Sequence, residues 1–386
     1  MSVRPLYHII NQRDVSPAAT HLPTPDMIKT AYGINKVTAM GAGQTIAIVN
    51  AYADTPANIQ ANLNTFNAEF GLPAASMTIH LMPGAGIVNP GWDLEIALDT
   101  QWVHAVAPSA NILLVLAKTA FFSDMFDAIT YAINNGATIV SMSFGTGEFL
   151  GETSFDSTFV PINNLGQNVT YFASSGDIGG VVIYPSSSPF VVGVGGTDLV
   201  MNVNGNRLAE TGASLSGGGV SIYEPIPSYQ TLYGLTGTFR QIPDISFLGN
   251  SPGVPVFVNS AWIQLTGTSL SCPCVAAMCS IANQLRSTIN KVTLSVNSCL
   301  TYLYGCPANR IVNTGIITDG NPIISSPIVT LGSMVFPGQY NIDFFDIITG
   351  TAGSFSCHPG YDNVTGLGSP NNLSYINGII ADLVAL

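Results

Sequence analysis

Short apolar runs that alternate with helical patterns constrain this chain more than any other feature. Residues 45–49, 111–116, 138–143, 169–174 and 190–194 read as buried strands. Between them, residues 56–70, 93–106 and 123–134 read as helices. Strands interleaved with helices predict an α/β fold with a parallel sheet. A later helix is expected from near Ser269 to about Arg286, and from Ser287 onward Gly, Pro and Asn make the pattern irregular. That stretch reads as the tail of the same domain, since no internal repeat or low-complexity linker separates it. In an open α/β sheet, sites form at the carboxyl ends of strands. Attention therefore falls on residues just after each strand and on the helix starts that follow.

Composition narrows the partners. The chain has 386 residues, ample for a closed core, and only 8% of them are charged against about 25% in an ordinary globular protein. No apolar run approaches the roughly 18 residues of a spanning helix, so no membrane segment is expected. Net charge is −12 with ten Lys plus Arg, a poor match to nucleic acid. Carboxylates paired in a native state destabilise it once protonated, so a chain with few such pairs tolerates acid. Residues 1–24 have no apolar core of signal-peptide type and read as an N-terminal arm, with 25–386 as the main domain. A secreted location or an acidic compartment is favoured. Sequons at Asn168, Asn363 and Asn372 matter only in a secretory pathway. Six Cys show no zinc spacing; Cys299 and Cys306 can close a small disulfide loop, and the other four also read as buried thiols.

Three segments carry residues suited to chemistry. Gly267-Thr268-Ser269 precedes a small, apolar helix containing Pro273. A Ser at a helix start sits beside unpaired backbone N–H groups that can hold a developing oxyanion, though Ser is also an ordinary cap. Glu95 and Asp99 are four apart and share one helix face. They read either as a solvated polar face or, with nothing local to neutralise them, as two carboxyls sharing a proton. Such a pair can take a proton from a nucleophile and return it to a leaving group. Asp177 lies in Ser174-Ser175-Gly176-Asp177-Ile178-Gly179, a turn after an apolar strand. It is a turn residue, or a protonated donor to an oxyanion. None of His8, His21, His80, His104 and His358 has the setting of a histidine base, and His104 reads as a core residue.

Taken together the segments resemble the sedolisin family, the serine-carboxyl peptidases, in order from about Pro25 to Pro370. The matching motifs are Glu95 and Asp99 running into Trp102 and Ala105-Val106-Ala107-Pro108, then Ser141-Met142-Ser143-Phe144-Gly145, Ser175-Gly176-Asp177, Pro189-Phe190-Val191 with Gly195-Gly196-Thr197, Gly217-Gly218-Gly219-Val220-Ser221, Pro243-Asp244-Ile245-Ser246 and Gly267-Thr268-Ser269. Near the end, Phe345-Asp346-Ile347, Pro359-Gly360-Tyr361-Asp362 and Thr365-Gly366-Leu367-Gly368 are similar to the family's calcium site.

The resemblance implies a subtilisin-like three-layer α/β/α fold and acid endopeptidase activity on polypeptide substrates. It gives Ser269 the role of nucleophile, Glu95 that of general base, Asp99 that of its orienting partner, and Asp177 that of oxyanion donor. Ser143 and Gly145 are expected to border the substrate. One structural Ca2+ is implied on Asp346, Asp362 and the carbonyls of Ile347, His358 and Gly360, with His358 standing where the family commonly has Gly. The family's long pro-domain has no counterpart in this chain, which starts about two dozen residues before the catalytic segments. A catalytically silent relative, kept as a binding or structural protein, predicts loss of one of the four catalytic positions, and all four are present.

Overall fold

The structure, a computed structural model, describes residues 1–11, 22–52, 55–305, 329–331, 334–336, 343–372 and 378–385. Four strand groups carry the architecture. β1 (Arg4–Pro5) and β2 (His8–Asn11) open the chain, and the short helix α1 (Pro25–Ala31) follows. The main sheet is built from β3 (Thr45–Ala51), β4 (Ser76–Leu81), β5 (Asn111–Ala117), β6 (Ile139–Met142), β8 (Thr170–Ser174), β10 (Val192–Met201), β11 (Arg207–Gly212) and β14 (Ile245–Leu248). Its order is β11-β10-β8-β6-β3-β5-β4, with β14 also pairing β10. Every pair is parallel except β10 with β11.

β7 (Phe144–Gly147) continues from β6 and pairs β1 on one side and β9 (Ile183–Tyr184) on the other. β12 (Gly219–Pro225) pairs β13 (Phe239–Ile242), and β15 (Val254–Val258) pairs β16 (Ala261–Thr266), which in turn takes β2. The fold is α/β, a mostly parallel sheet flanked by helices, as expected.

The helices form where local chemistry starts them. In α2 (Pro56–Phe70) Thr55 caps the Asn58 amide, Pro56 sits in the first turn, and Gly71 closes the helix at φ 65°. The helix expected at 93–106 begins earlier, as α3 (Pro90–Val106), because the Asn89 side chain accepts from Gly91 and Trp92 N–H and Pro90 supplies a preset first turn. α4 (Phe122–Asn134) packs on β3 and β5. α5 (Thr268–Thr288) packs on β6, β8, β10 and β14 and against α3. Its residues through Ala282 are all buried, so a central helix with no polar face is held in the core.

Two expectations change. The strand expected at 190–194 runs on to Met201 as β10. Its glycines suit close packing rather than a turn: a Cβ at Gly195 would strike Pro243, Ser216 and Ser246. The stretch beyond Ser287, expected to be irregular, contains the helix Val296–Gly305. Among the described residues no helix is long and apolar enough to cross a membrane. Cys272, Cys274, Cys279, Cys299 and Cys357 are buried free thiols, and Cys306 lies outside the described residues.

Candidate active site

Glu95 and Asp99 sit one turn apart on α3 and are fully buried, 0% exposed, so the solvated-face alternative does not describe them. Asp99 is held from two strand ends. Its Oδ2 accepts from Asn50 Nδ2 at 3.0 Å, and its Oδ1 accepts from Ser143 Oγ at 2.7 Å. Those bonds favour the charged carboxylate, but burial outweighs them and pushes the Asp99 carboxyl up to about 7. Glu95 is also raised well above the usual carboxyl range, first by burial and then by the charge of Asp99, against a lowering contribution from the nearby Ser269 hydroxyl. Its Oε2 accepts from the Leu6 amide at 3.1 Å, while Oε1 is buried with no hydrogen bond of ordinary geometry. Two buried carboxyls one turn apart, with no cation between them, titrate as one pair that shares a proton.

Ser269 is the second residue of α5 and is also fully buried. Its Oγ donates to the Ser143 carbonyl at 3.3 Å, and its amide donates to the Leu6 carbonyl at 3.0 Å. Four residues on, Pro273 has no N–H to give the Ser269 carbonyl. Ser143 Oγ stands 3.5 Å from that carbonyl instead. Gly267, which leads into the helix, adopts φ 133°, and a Cβ there would run into the Leu6 carbonyl oxygen. Glycine is required at this point for the main chain of another segment to approach so closely.

Asp177 follows β8 and faces the start of α5. Its Oδ1 accepts from both the amide and the hydroxyl of Thr268, each at 2.8 Å. Its Oδ2 is buried without a hydrogen bond, 3.5 Å from His8 Nε2. Burial pushes the carboxyl up to about 6 despite the Thr268 donors. One oxygen is thus fixed in place and the other is left to carry a proton. A protonated Oδ2 is a hydrogen-bond donor aimed at the space that the Ser269 amide also faces.

The remaining expected residues fall as follows. Gly145 lies on β7 and is opposite Arg4 of β1. It helps line a cavity of about 190 Å³ together with Leu6, Gly147, Gly176, Asp177 and Ile183. The Ser143 hydroxyl donates to Asp99, and Ser143 does not line that cavity. His104 is buried with a ring nitrogen 2.8 Å from the Pro73 carbonyl, and burial lowers its proton affinity.

At the distal site, Asp362 Oδ1 accepts from the amides of Val364 and Thr365 at 2.8 Å each, and its Oδ2 lies 3.4 Å from the His358 amide. Asp346 Oδ2 accepts from the Gly360 amide at 3.2 Å. These bonds gather Asp346, His358, Gly360 and Asp362 into one loop cluster, with Ile347 buried beside it. Among the described residues no three His, Cys, Asp or Glu side chains form a metal cluster. The expected set has only two such side chains, completed by main-chain carbonyls.

Sequence reasoning missed three participants. Asn50 lies one residue before the end of β3 with its carboxamide on Asp99, and an Asn closing an apolar run in the sequence reads equally as a turn residue. Thr268 stands in the sequence only as the middle of Gly267-Thr268-Ser269, yet both its donors hold Asp177. Leu6 had no signal, because its partners are far along the chain.

Comparison with known proteins gives a consistent picture. A family model described as the subtilase family matches residues 78–299. Kumamolisin of Bacillus sp. (strain MN-32) is 28% identical over 381 residues, covering 88% of this chain and 60% of that protein. Sedolisin of Pseudomonas sp. (strain 101) is 28% identical over 284 residues, covering 64% of this chain and 46% of that protein. Tripeptidyl-peptidase 1 of Dictyostelium discoideum is 26% identical over 317 residues, covering 72% and 50%. The chain therefore spans between 46% and 60% of the length of these three curated relatives. Among solved structures, Pseudomonas sedolisin complexed with two molecules of pseudo-iodotyrostatin matches with a TM-score of 0.73 at 21% identity, covering 94% of this chain and 96% of that one. That likeness is one of fold.

Proposed function

The chain belongs to the subtilase family, in its sedolisin branch, and from that premise we propose that it is an acid-acting serine-carboxyl endopeptidase. Ser269 attacks the scissile carbonyl and forms an acyl-enzyme. Glu95 takes the Ser269 proton and returns it to the leaving amine, with Asp99 sharing and orienting that proton. The Ser269 amide and a protonated Asp177 Oδ2 hold the oxyanion.

The observation that carries this reading is convergence on one residue, Leu6. The Ser269 amide donates to the Leu6 carbonyl, Glu95 Oε2 accepts from the Leu6 amide, and Asp177 Oδ2 and the Leu6 carbonyl oxygen crowd the same point beside Gly267. An acid optimum follows from the same groups. Asp177, pushed up to about 6, is neutral and able to donate only in acid. A carboxyl base likewise works at lower pH than a histidine.

An endopeptidase fits better than removal of short N-terminal peptides, because main chain runs through the cleft on both sides of Ser269. Before Leu6, which accepts the Ser269 amide, β1 pairs β7, and after it β2 pairs β16. The substrates are polypeptides. Gly145 borders them through main-chain pairing, as it does Arg4, and Ser143 borders them through its carbonyl beside Ser269.

One Ca2+ is proposed on the carboxylates of Asp346 and Asp362 and the carbonyls of Ile347, His358 and Gly360. The donors are all hard oxygens, which suits calcium. Asp362 is buried and meets no cationic side chain among the described residues, and its carboxyl is raised to about 6 by burial. A cation there would offset that cost and tie the loop together.

The reading is tested by cleavage of a denatured protein from about pH 2 to about pH 8, with Ser269→Ala beside the wild type. Cleavage that peaks in acid and disappears in the variant supports it. A folded wild type, freed of residues 1–11, that cleaves nothing at any pH would overturn it.

A further inference from the structure

One wall of the cleft is backed by carboxyls that the reaction does not use. Gly145, Gly147 and Ile183 line the cavity beside Asp177. They belong to β7 and β9, which pair Thr146 with Tyr184 and Gly147 with Ile183. Behind them stand four acids. Glu148 directly follows β7, Glu152 and Asp156 lie on the short helix Glu152–Thr158, and Glu224 lies on β12. Tyr184 joins the two layers: its main chain is in the wall, and its hydroxyl donates to Asp156 Oδ1 at 3.2 Å. Glu152 accepts from Ser187 Oγ at 3.1 Å through Oε1 and from the Phe149 amide at 2.7 Å through Oε2.

β12 turns two buried side chains onto this group. Ser221 Oγ accepts the Tyr223 and Glu224 amides at 3.1 and 2.8 Å, where the β12–β13 register shifts. The same hydroxyl donates to Glu148 Oε1, and the Ile222 amide donates to Glu148 Oε2 at 3.2 Å. Glu224 is fully buried, neither of its oxygens has a hydrogen bond of ordinary geometry, and its carboxyl faces those of Asp156 and Glu152. From β13, Arg240 faces both Glu224 and Asp156. Its Nη1 and Nη2 are engaged by Asp244 at 3.0 and 2.6 Å, Nη2 also by the Val191 carbonyl, and its Nε bonds to neither acid. Among the described residues no Lys or Arg forms an ion pair with any of the four acids. Buried carboxyls that face one another without a cation stay together by sharing protons.

We propose that this cluster is a proton lock on the cleft wall: in acid, shared protons hold β12 and residues 148–158 against β7 and β9, and loss of those protons loosens the wall reversibly. It rests on the peptidase reading above, because the wall belongs to that same site. Without its proton Glu224 opposes Asp156 and Glu152 in one buried space, and the charges separate as water enters along β12. Burial, then the charges of Asp156 and Glu152, raise Glu224 to about 9, and burial raises Glu152 to about 7. A group raised in the folded state stabilises it in acid, and that stability is lost as pH climbs to the folded value. The wall is therefore firm in acid and loosens between about 7 and about 9. Asp177 gives up its proton lower, near 6. As pH rises the catalytic groups switch off first, and the substrate cavity loosens second.

The test is amide hydrogen exchange of the full chain carrying Ser269→Ala at about pH 4 and about pH 9, corrected for the chemical exchange rate at each pH. Cleavage of a denatured protein by the wild type at about pH 4 is assayed in parallel. Segments 183–188 and 219–225 are expected to lose protection about tenfold or more at the higher pH, while β3 and α5 keep theirs. Glu224→Gln in the same background donates to Asp156 without a titrating proton, and it is expected to hold both segments at about pH 9. Glu152→Gln is expected to reduce the loss, and it decides the matter should Glu224→Gln not fold. Equal protection at the two pH values, or a loss that neither variant reduces, overturns the lock. So does a loss spread evenly through β3 and α5, which is global unfolding. Cleavage at about pH 4 with an unmoved wall removes the lock and leaves the peptidase reading. A wall that loosens as expected in a protein that cleaves nothing removes the peptidase reading and leaves the lock.

Discussion

Ser143 Oγ donates to Asp99 Oδ1 across 2.7 Å, in a site where both residues are fully buried. The bond opposes burial by favouring the charged form of Asp99. A hydrogen bond to a charged group contributes about 1.5–3 kcal/mol, and each 1.4 kcal/mol is about one pH unit. Ser143→Ala is therefore expected to lower kcat and to move the rising limb of the pH–rate profile upward by about one pH unit. A fall in rate with an unmoved profile would reduce Ser143 to packing.

Asp177 gives a complementary expectation on the falling limb. Thr268 fixes Oδ1, so only Oδ2 can donate, and only when protonated. Removing one oxyanion donor typically costs about 10²–10³ in kcat, and Asp177→Ala is expected to lose that much. Asp177→Asn presents an N–H at every pH. It should lose less, and the fall in activity near pH 6 that belongs to wild-type Asp177 should weaken. Steady-state rates of the three proteins across the pH range decide this.

The Glu95 and Asp99 pair was legible because a spacing of four places two side chains on one helix face. Ser269 was legible because a small residue at a helix start has a recognisable setting. The strands near 45–49 and 111–116 were legible as continuous apolar runs, which a sheet buried on both faces requires. The position of Leu6 was not. It meets Glu95 from 89 residues away, and such a contact leaves no periodic trace in either segment. The early start of α3 could have been read from Asn89 and Pro90, a cap followed by a first-turn proline. Asn50 and Thr268 act through the ends of their side chains, and nothing in sequence says where those ends point.

A second carboxyl cluster bears on stability. Glu224 is fully buried, and neither of its oxygens has a hydrogen bond of ordinary geometry. Burial, then the charges of Asp156 and Glu152, push it from an ordinary 4.5 up to about 9. Glu152 is likewise pushed up to about 7. A carboxyl raised in the folded state stabilises fully below its unfolded value, and that stability is lost as pH climbs toward the folded value. The window therefore runs upward from about 4.5 to about 9. The unfolding midpoint is expected to be higher at about pH 4 than at about pH 8, and Glu224→Gln should flatten the decline. A midpoint that rises with pH would contradict this.

Calcium removal supplies a test away from the cleft. If Asp346 and Asp362 hold a cation, a chelator at about pH 6 should lower the unfolding midpoint of the wild type, and added Ca2+ should restore it. Asp362→Asn is expected to start at the lower midpoint and respond to neither. An identical chelator response in both proteins would remove these ligands from consideration.

The central claim is that Ser269 attacks a peptide carbonyl and carries the acyl group. The most direct measurement is acid-quenched mass spectrometry of the protein during turnover of a peptide ester at about pH 4, followed by digestion to locate any adduct. The account predicts a transient acyl adduct on the peptide containing Ser269, absent in Ser269→Ala and slow to form in Glu95→Gln. Turnover with no adduct at Ser269, or with an adduct on another residue, would contradict it.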